Sequence, residues 1–207
     1  NSYKITINEP VQMTVSITTN IYNNYQILCN GDTDSAFVNV SGGLSPYTLD
    51  YGSILLTNNS GSFNPAGISA GVYTFTITDN NSCTYMETVT FNEPDLITFN
   101  PIITDVFCDG LCTGEITAIV AGGVGLGNGS NYSYQWYTGS TTTSPLGENS
   151  YFIDSLCIGD YTIEATDANG CTGLSTPTIG ADILQITNAL ITNLNCFEDC
   201  DGSVDIN

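Results

Sequence analysis

The segment "YTFTITDNNSCTYMETVTFNEP", residues 73 to 94, decides the fold because it contains two alternating stretches separated by a turn. Tyr73, Phe75 and Ile77 alternate with threonines, which is the period of a strand with one buried face. The residues "DNNS" then provide the side chains that favour a tight turn. The segment therefore predicts an antiparallel hairpin that packs one face on a core.

A second copy of this segment, "YTIEATDANGCTGLSTPTIGAD", occupies residues 161 to 182. The N-terminal "YKITINEP" also matches "ETVTFNEP", so that Pro10 corresponds to Pro94. Internal similarity of this kind indicates a repeat architecture. We predict the tail of one repeat at 1–10, complete repeats at 11–94 and 95–181, and the start of a further, truncated repeat at 182–207. We expect the chain to continue in both directions and the repeats to form an extended, semi-rigid array.

Each repeat is rich in short alternating stretches and paired glycines, and no segment has a helical period. Units of roughly 85 residues with this pattern predict an all-β fold of tandem immunoglobulin-like β-sandwich repeats. Tyr51 and Trp136 fall at matching positions, where a sandwich keeps a core aromatic. Two further sets of residues have the spacing of a tyrosine corner: Ile68, Gly71 and Tyr73, and Leu156, Gly159 and Tyr161.

The composition argues against several classes of partner. The chain has one Lys or Arg against 21 acidic residues, a formal net charge of -20, which repels nucleic-acid phosphates and anionic membrane surfaces. It has no apolar run long enough to insert directly in a membrane. Eight cysteines among many polar residues favour an oxidising extracellular setting. Hydrophobic residues make up 41% of the chain, which is enough for packed cores.

The cysteines of the second repeat, Cys108, Cys112, Cys157 and Cys171, allow three pairings. The first repeat has Thr33 where the second has Cys112, and Ser69 where it has Cys157. If Cys112 and Cys157 are bonded to each other, the absence of both cysteines from the first repeat leaves no unpaired thiol there. This comparison predicts structural disulfides, listed here in full: Cys29–Cys83, Cys108–Cys171 and Cys112–Cys157, with Cys196 and Cys200 bonding beyond residue 207.

The pattern C-x-G-x-x-x-G, strand, S-G-G, P-Y-x-Y, followed by "LCIGDYTIEATDANGC" at residues 156–171, resembles the SprB-type repeat of giant Bacteroidetes adhesins. Thr33 and Ser69 depart from that pattern, and residues 123–133, "GVGLGNGSNYS", form an insertion. The resemblance implies an outer-membrane-associated cell-surface protein, exported by type IX secretion and acting in attachment and gliding motility. Its expected partners are neighbouring repeats, the gliding or secretion machinery, and surface polysaccharide or the substratum.

The chain lacks histidine and has Lys4 as its one basic side chain, so a Ser-His-Asp or Cys-His catalytic set cannot form within it. We therefore predict a non-enzymatic protein that requires no cofactor. Calcium needs only oxygen ligands, which the acidic turns could supply. The candidate ligands are Asp32, Asp34, Asp79, Asn81, Asp167 and Asn169, together with Glu9 and Glu93 at the junctions. The same Asp-x-Asn-Gly pattern is also typical of a turn that bonds its own backbone.

Two functions remain open at this point. The favoured one is a non-catalytic stalk module of a repetitive surface adhesin. The alternative is a carbohydrate- or ligand-binding module appended to a secreted enzyme, for which Tyr137, on the strand face opposite Trp136, is the candidate contact residue.

Overall fold

The computed structural model describes residues 9–106, 112–126 and 131–181, together with the backbone of two short segments, 189–192 and 203–206. The described residues form β-strands and turns, and none of them lies in a helix. Within this described part, no helix is long and apolar enough to cross a membrane. The predicted all-β class is therefore confirmed.

The chain divides into two compact units, which do not coincide with the sequence repeats. Unit 1 comprises Asn1–Phe99, Val120–Tyr134 and Glu164–Leu174. Unit 2 comprises Asn100–Ile119, Gln135–Ile163 and Ser175–Asn207. Segments of the second sequence repeat thus belong to the unit that contains the whole first repeat, and the repeat boundaries given above remain a prediction.

Seven strands of the first repeat form two sheets. The strands are β1 (Thr14–Thr19), β2 (Ala36–Ser41), β3 (Tyr47–Asp50), β4 (Leu55–Asn58), β5 (Ser62–Phe63), β6 (Gly71–Thr78) and β7 (Thr84–Phe91). One sheet has the order β1-β2-β5 and the other β4-β3-β6-β7. Strands β6 and β7 pair in continuous antiparallel register from Gly71 opposite Phe91 to Thr78 opposite Thr84, which confirms the predicted hairpin.

A hydrophobic core lies between these two sheets. Val38 from one sheet and Leu49, Phe75 and Ile77 from the other are fully buried in one cluster. Full burial of each such side chain contributes about 1.5–3 kcal/mol. Tyr51 stacks on Phe75 with ring centroids 5.5 Å apart. The seven strands and their shared core make an immunoglobulin-like sandwich.

The strands of the later part of the chain are β8 (Thr98–Phe99), β9 (Ile102–Thr104), β10 (Gly114–Thr117), β11 (Val120–Ala121), β12 (Ser133–Thr138), β13 (Phe152–Leu156), β14 (Gly159–Thr166), β15 (Thr172–Ser175), β16 (Thr178–Ile179), β17 (Ala189–Thr192) and β18 (Ser203–Ile206). They form sheets β13-β10-β9, β12-β14-β15 with β16 beside β14, and the pairs β8–β11 and β17–β18. The alternating period of these stretches explains why they form strands rather than helices.

Unit 2 has its own core around Trp136, which is fully buried as predicted. The indole Nε1–H donates to the Ser150 carbonyl at 2.8 Å, so burial leaves this polar group bonded. The Tyr161 hydroxyl donates to the carbonyl of Cys157, four residues earlier, at 3.0 Å, which is the predicted tyrosine corner. At the matching position of the first repeat, the ring of Tyr73 packs edge-on against Phe91.

Paired glycines follow β2 and β11 because the backbone there leaves no room for a side chain. Gly42 has φ +75, and a Cβ on it would lie 2.1 Å from the Gln12 carbonyl oxygen. A Cβ on Gly122, with φ +89, would lie 2.0 Å from the Leu96 carbonyl oxygen. In each repeat a tyrosine hydroxyl then donates to the carbonyl of this glycine, from Tyr47 at 2.8 Å in the first.

A buried aspartate shapes the turn between the last two long strands of each repeat. The Asp79 Oδ1 accepts the N–H groups of Asn81 and Cys83, both at 2.9 Å, and its Oδ2 accepts that of Leu44 at 3.0 Å. Asp167 accepts the N–H groups of Asn169, Cys171 and Val124 in the same way. We call residues 79–83 and 167–171 the closing turns. Each carboxylate fixes the cysteine that ends its closing turn.

The first prediction concerns the lack of space for a side chain at Gly42, in the glycine pair after β2. Gly42→Ala should destabilise the chain much more than Gly67→Ala, because Gly67 has φ +73 but open space where a Cβ would lie. The control substitution adds only left-handed backbone strain, about 1–2 kcal/mol. The test substitution adds a clash with backbone. Thermal unfolding followed by circular dichroism measures the difference, and equal melting temperatures for the two variants would contradict this account of the glycine.

The second prediction concerns the charge of Asp79 in the closing turn of the first repeat. Burial raises the pKa of Asp79, but hydrogen bonds from the backbone of Cys83, Leu44 and Asn81 outweigh it, so that the pKa lies below its ordinary value of 3.8. A carboxylate with a lowered pKa stabilises the fold above its unfolded-state pKa, and that stability is lost as the pH falls through the folded-state pKa.

The melting temperature of the wild-type chain should therefore fall more steeply below about pH 4 than that of the Asp79→Asn variant. The variant keeps every other acidic group, so the difference between the two curves isolates this carboxylate. Parallel curves from pH 7 to pH 2 would show that Asp79 does not contribute through its charge.

Candidate functional site

A disulfide joins Cys29 of the first sequence repeat to Cys171 of the second, across 142 positions of sequence. The two Cα atoms are 5.6 Å apart, which is an ordinary distance for a disulfide. Both cysteines belong to unit 1. We call residues 28–32, "LCNGD", the opening loop. The bond fastens this loop to the closing turn that contains Asp167.

The opening loop is also bound by residues 92–94, "NEP", which we call the junction. The Asn30 Nδ2 donates to Glu93 Oε1 at 3.2 Å and to the Pro94 carbonyl at 3.0 Å. The Gly31 N–H donates to Glu93 Oε2 at 2.7 Å. Gly31 has φ +81, a conformation that favours glycine and directs its N–H at the carboxylate. Charge-assisted hydrogen bonds of this kind are stronger than neutral ones.

The closing turn contributes further contacts to the opening loop. The Asn169 Nδ2 donates to the Leu28 carbonyl at 2.9 Å, and the Asn23 Nδ2 donates to the Asn169 Oδ1 at 2.5 Å. Residues of the opening loop and of this turn line a cleft of about 290 Å³. The arrangement is a structural clasp, in which a disulfide and four hydrogen bonds hold the opening loop.

The structure also bonds Cys112 to Cys157, the pair that the comparison of the repeats predicts. The bond closes a loop within unit 2, next to the tyrosine corner at Tyr161. Thr33 and Ser69 replace this pair in the first repeat, where no such bond can form.

The predicted pairs Cys29–Cys83 and Cys108–Cys171 are corrected by the structure. Cys29 and Cys171 bond to each other, and Cys83 is an exposed free cysteine. The physical reason is that the junction binds the opening loop in a position that places Cys29 beside the closing turn of the second repeat. Cys83 lies elsewhere, beside Glu9 and Pro10. The remaining predicted cysteines, Cys108, Cys196 and Cys200, lie outside the described residues.

The residues predicted as calcium ligands have other roles in the described part of the chain. Asp79 and Asp167 are occupied by backbone N–H groups, and Glu93 holds the opening loop. The Asp34 Oδ1 accepts the Asn20 side chain and the Ser35 N–H, both at 2.7 Å. No group of three or more acidic or cysteine side chains that could hold a metal ion occurs among the described residues.

The remaining predicted ligands are placed as follows: Asp32 and Asn169 lie at the clasp, Asn81 lies in the closing turn of the first repeat, and Glu9 lies beside Cys83. Calcium binding stays an untested prediction. From the sequence, Glu93 is a candidate calcium ligand because it is an acidic residue next to a proline. The sequence analysis did not predict its contact with the opening loop. The recurrence of "NEP" at residues 8–10 and 92–94 is the signal that could have indicated a recognition role.

The predicted contact residue Tyr137 is half-buried and forms an isolated β-bridge with Pro145. Its neighbours on the opposite strand face pack inward: Trp136 is buried, and the rings of Tyr132 and Tyr134 meet edge-on with centroids 6.2 Å apart. Burial raises the pKa of Tyr132. Tyr132 and Trp136 are therefore buried within their own units, and ligand contact at Tyr137 stays a prediction.

Several solved structures are similar to this chain over most of its length. The three N-terminal domains of the bacteriophage RB49 Highly Immunogenic Outer Capsid protein match with 18% identity and a TM-score of 0.43, covering 94% of this chain and 70% of that chain. A C-terminal 282-residue fragment of intimin, in complex with the translocated intimin receptor intimin-binding domain, matches with 15% identity and a TM-score of 0.40, covering 89% and 66%. The eight N-terminal immunoglobulin domains of Down Syndrome Cell Adhesion Molecule match with 12% identity and a TM-score of 0.40, covering 84% and 25%.

A search of curated proteins found no match. The family comparison matches residues 100–141 to the SprB repeat. This segment contains Cys112 of the disulfide with Cys157, the glycine pair that begins with Gly122, and the buried Trp136. The chain therefore carries a SprB-type repeat.

Proposed function

We propose that this chain is a non-catalytic stalk module of an extracellular cell-surface adhesin, in which tandem repeats carry tension between an anchor and a binding region. The observation that carries the proposal is the bond between Cys29 and Cys171, which connects the opening loop of one sequence repeat to the closing turn of the next. A covalent link between consecutive repeats resists extension of the chain in a way that sheet hydrogen bonds alone do not.

The composition and the clasp support this role. A net charge of -20 keeps a long surface protein soluble and disfavours association with anionic polymers. Disulfides form and persist in the oxidising setting of a cell surface. The first partners of the module are therefore neighbouring repeats of the same chain. Surface polysaccharide or the substratum would be contacted by the assembled adhesin.

The SprB-type repeat at residues 100–141 favours a finer version of the same proposal. We place the parent protein at the outer membrane, exported by type IX secretion and used in gliding motility. In this version the repeats act as the extended part of an adhesin that moves along the cell.

Pulling single molecules from their two ends tests the stalk function. In the oxidised chain, the Cys29–Cys171 bond removes from extension a segment with a sequence separation of 142. At about 3.6 Å per extended residue, the fully reduced chain should therefore unfold to a contour length about 510 Å greater than the oxidised chain.

Two variants provide matched controls. The double variant Cys29→Ser/Cys171→Ser keeps the Cys112–Cys157 bond and should extend about 350 Å further than the oxidised wild type. Cys83→Ser should leave the extension unchanged because Cys83 is free. A wild-type extension equal to that of the double variant would contradict the tension-bearing role. Tight binding of a soluble polysaccharide by the isolated chain would favour the binding module instead.

A further inference from the structure

A second cleft, of about 580 Å³, lies beside the free cysteine Cys83. Its walls include Glu9 and Pro10 from the N-terminal "NEP", Gly43 from the glycine pair, and Asp79 from the closing turn. Cys83 is exposed at this cleft. Like the clasp, the cleft lies in unit 1.

Several residues that line the Cys83 cleft occupy the same repeat positions as residues that line the clasp cleft. The clasp cleft is lined by Pro94, Gly123, Asp167 and Cys171, which occupy the matching positions of the second repeat. Asp79 and Asp167 make the same three hydrogen bonds to backbone N–H groups, so the two closing turns present their cysteines in the same way. Glu9 corresponds to Glu93, which binds the opening loop.

The two clefts differ in their occupancy. Cys29, Asn30 and Asp32 of the opening loop line the clasp cleft. Among the described residues that line the Cys83 cleft, none comes from an opening loop, and its volume is about twice as large. Within the part of the chain that the structure describes, an opening loop therefore lines one of these two matching clefts and not the other.

We infer that the Cys83 cleft is the receptor for the opening loop of another repeat, placed N-terminal to this one in a tandem array, and that Cys83 forms a disulfide with the cysteine of that loop. The inference rests on the proposed stalk function, because it names the partner of the module. The rule that follows is that the opening cysteine of each repeat bonds the closing cysteine of the next.

The covalent step needs a disulfide oxidant, such as glutathione disulfide. The two protein thiols lose two electrons and two protons and become one disulfide, while glutathione disulfide accepts both and becomes two molecules of glutathione. The Cys83 thiolate attacks the loop-cysteine sulfur of a mixed disulfide with glutathione, and glutathione leaves as a thiolate that takes up the proton lost by Cys83.

Recognition of the loop precedes this step. In the clasp, Asn30 and Gly31 donate two hydrogen bonds to the Glu93 carboxylate, and Asn30 donates one to the Pro94 carbonyl. Glu9 and Pro10 offer the same acceptors at the Cys83 cleft. An Asn-Gly pair directly after the loop cysteine is therefore the chemical feature that the cleft selects.

A synthetic peptide of residues 26–33, "QILCNGDT", tests the inference with the full 207-residue chain. The two are equilibrated in a buffer of glutathione and glutathione disulfide, and mass spectrometry of the digested protein measures the fraction of Cys83 that carries the peptide. The control peptide has Asn30→Ala, which removes two of the three donated hydrogen bonds. We expect the wild-type peptide to occupy Cys83 about tenfold more than the control.

Protein variants provide a second measurement. Glu9→Ala should lower occupancy by the wild-type peptide about tenfold, whereas Glu148→Ala, at an exposed position of unit 2, should leave it unchanged. Equal occupancy of Cys83 by both peptides, together with no effect of Glu9→Ala, would show that Cys83 is only a reactive thiol and would overturn the inference.

The failure of this inference can be distinguished from the failure of the proposed function. If both peptides couple equally while the Cys29–Cys171 bond still shortens the extension under force, the stalk function stands and the receptor at Cys83 does not. If Cys29 and Cys171 are unbonded in the oxidised chain, both the stalk function and the receptor lose their basis.

Discussion

The bond between Cys29 and Cys171 is the constraint on which the functional interpretation depends, because it joins positions that belong to different sequence repeats. The opening loop reaches Cys171 through its hydrogen bonds to Glu93 and Pro94 at the junction. The disulfide then makes this noncovalent arrangement permanent under oxidising conditions. A short proline-containing junction and a covalent clasp are both consistent with the tension-bearing role proposed above.

Hydrogen bonds and glycine positions near the clasp hold its backbone in place independently of the disulfide. A buried carboxylate in each closing turn accepts three backbone N–H groups and thereby orients the cysteine that follows. The paired glycines allow the neighbouring chain to approach within a distance that no side chain would permit. The buried carboxylate and the paired glycines occur in both repeats, although the cysteine of the first closing turn is free. The turn geometry therefore does not depend on the disulfide.

The alternating residues of "YTFTIT" predicted the hairpin, because the period of a strand is a local property of the sequence. The buried positions of Tyr51 and Trp136 followed from aligning the repeats. The same alignment indicated the Cys112–Cys157 pair. The partner of Cys29 could not be derived in this way. Alignment shows which cysteines are equivalent, but not whether equivalent cysteines bond within one repeat or between successive repeats.

The acidic turn residues illustrate a second limit of the sequence. Asp79 and Asp167 have the composition of calcium ligands, and also that of turns that bond their own backbone. The structure places backbone N–H groups against both oxygens of each carboxylate. Similarly, Glu93 next to a proline carries no signal that distinguishes a metal ligand from an acceptor for a glycine N–H. The position of the opening loop shows that Glu93 accepts the Gly31 N–H, which the sequence does not indicate.

Peptide mapping of the oxidised chain without reduction tests the central claim most directly. Proteases that cleave at acidic residues suit a chain with 21 of them and one Lys or Arg. The account predicts a disulfide-linked pair of fragments that contain Cys29 and Cys171, with Cys83 recovered as a free thiol. Recovery of Cys29 linked to Cys83 would contradict it.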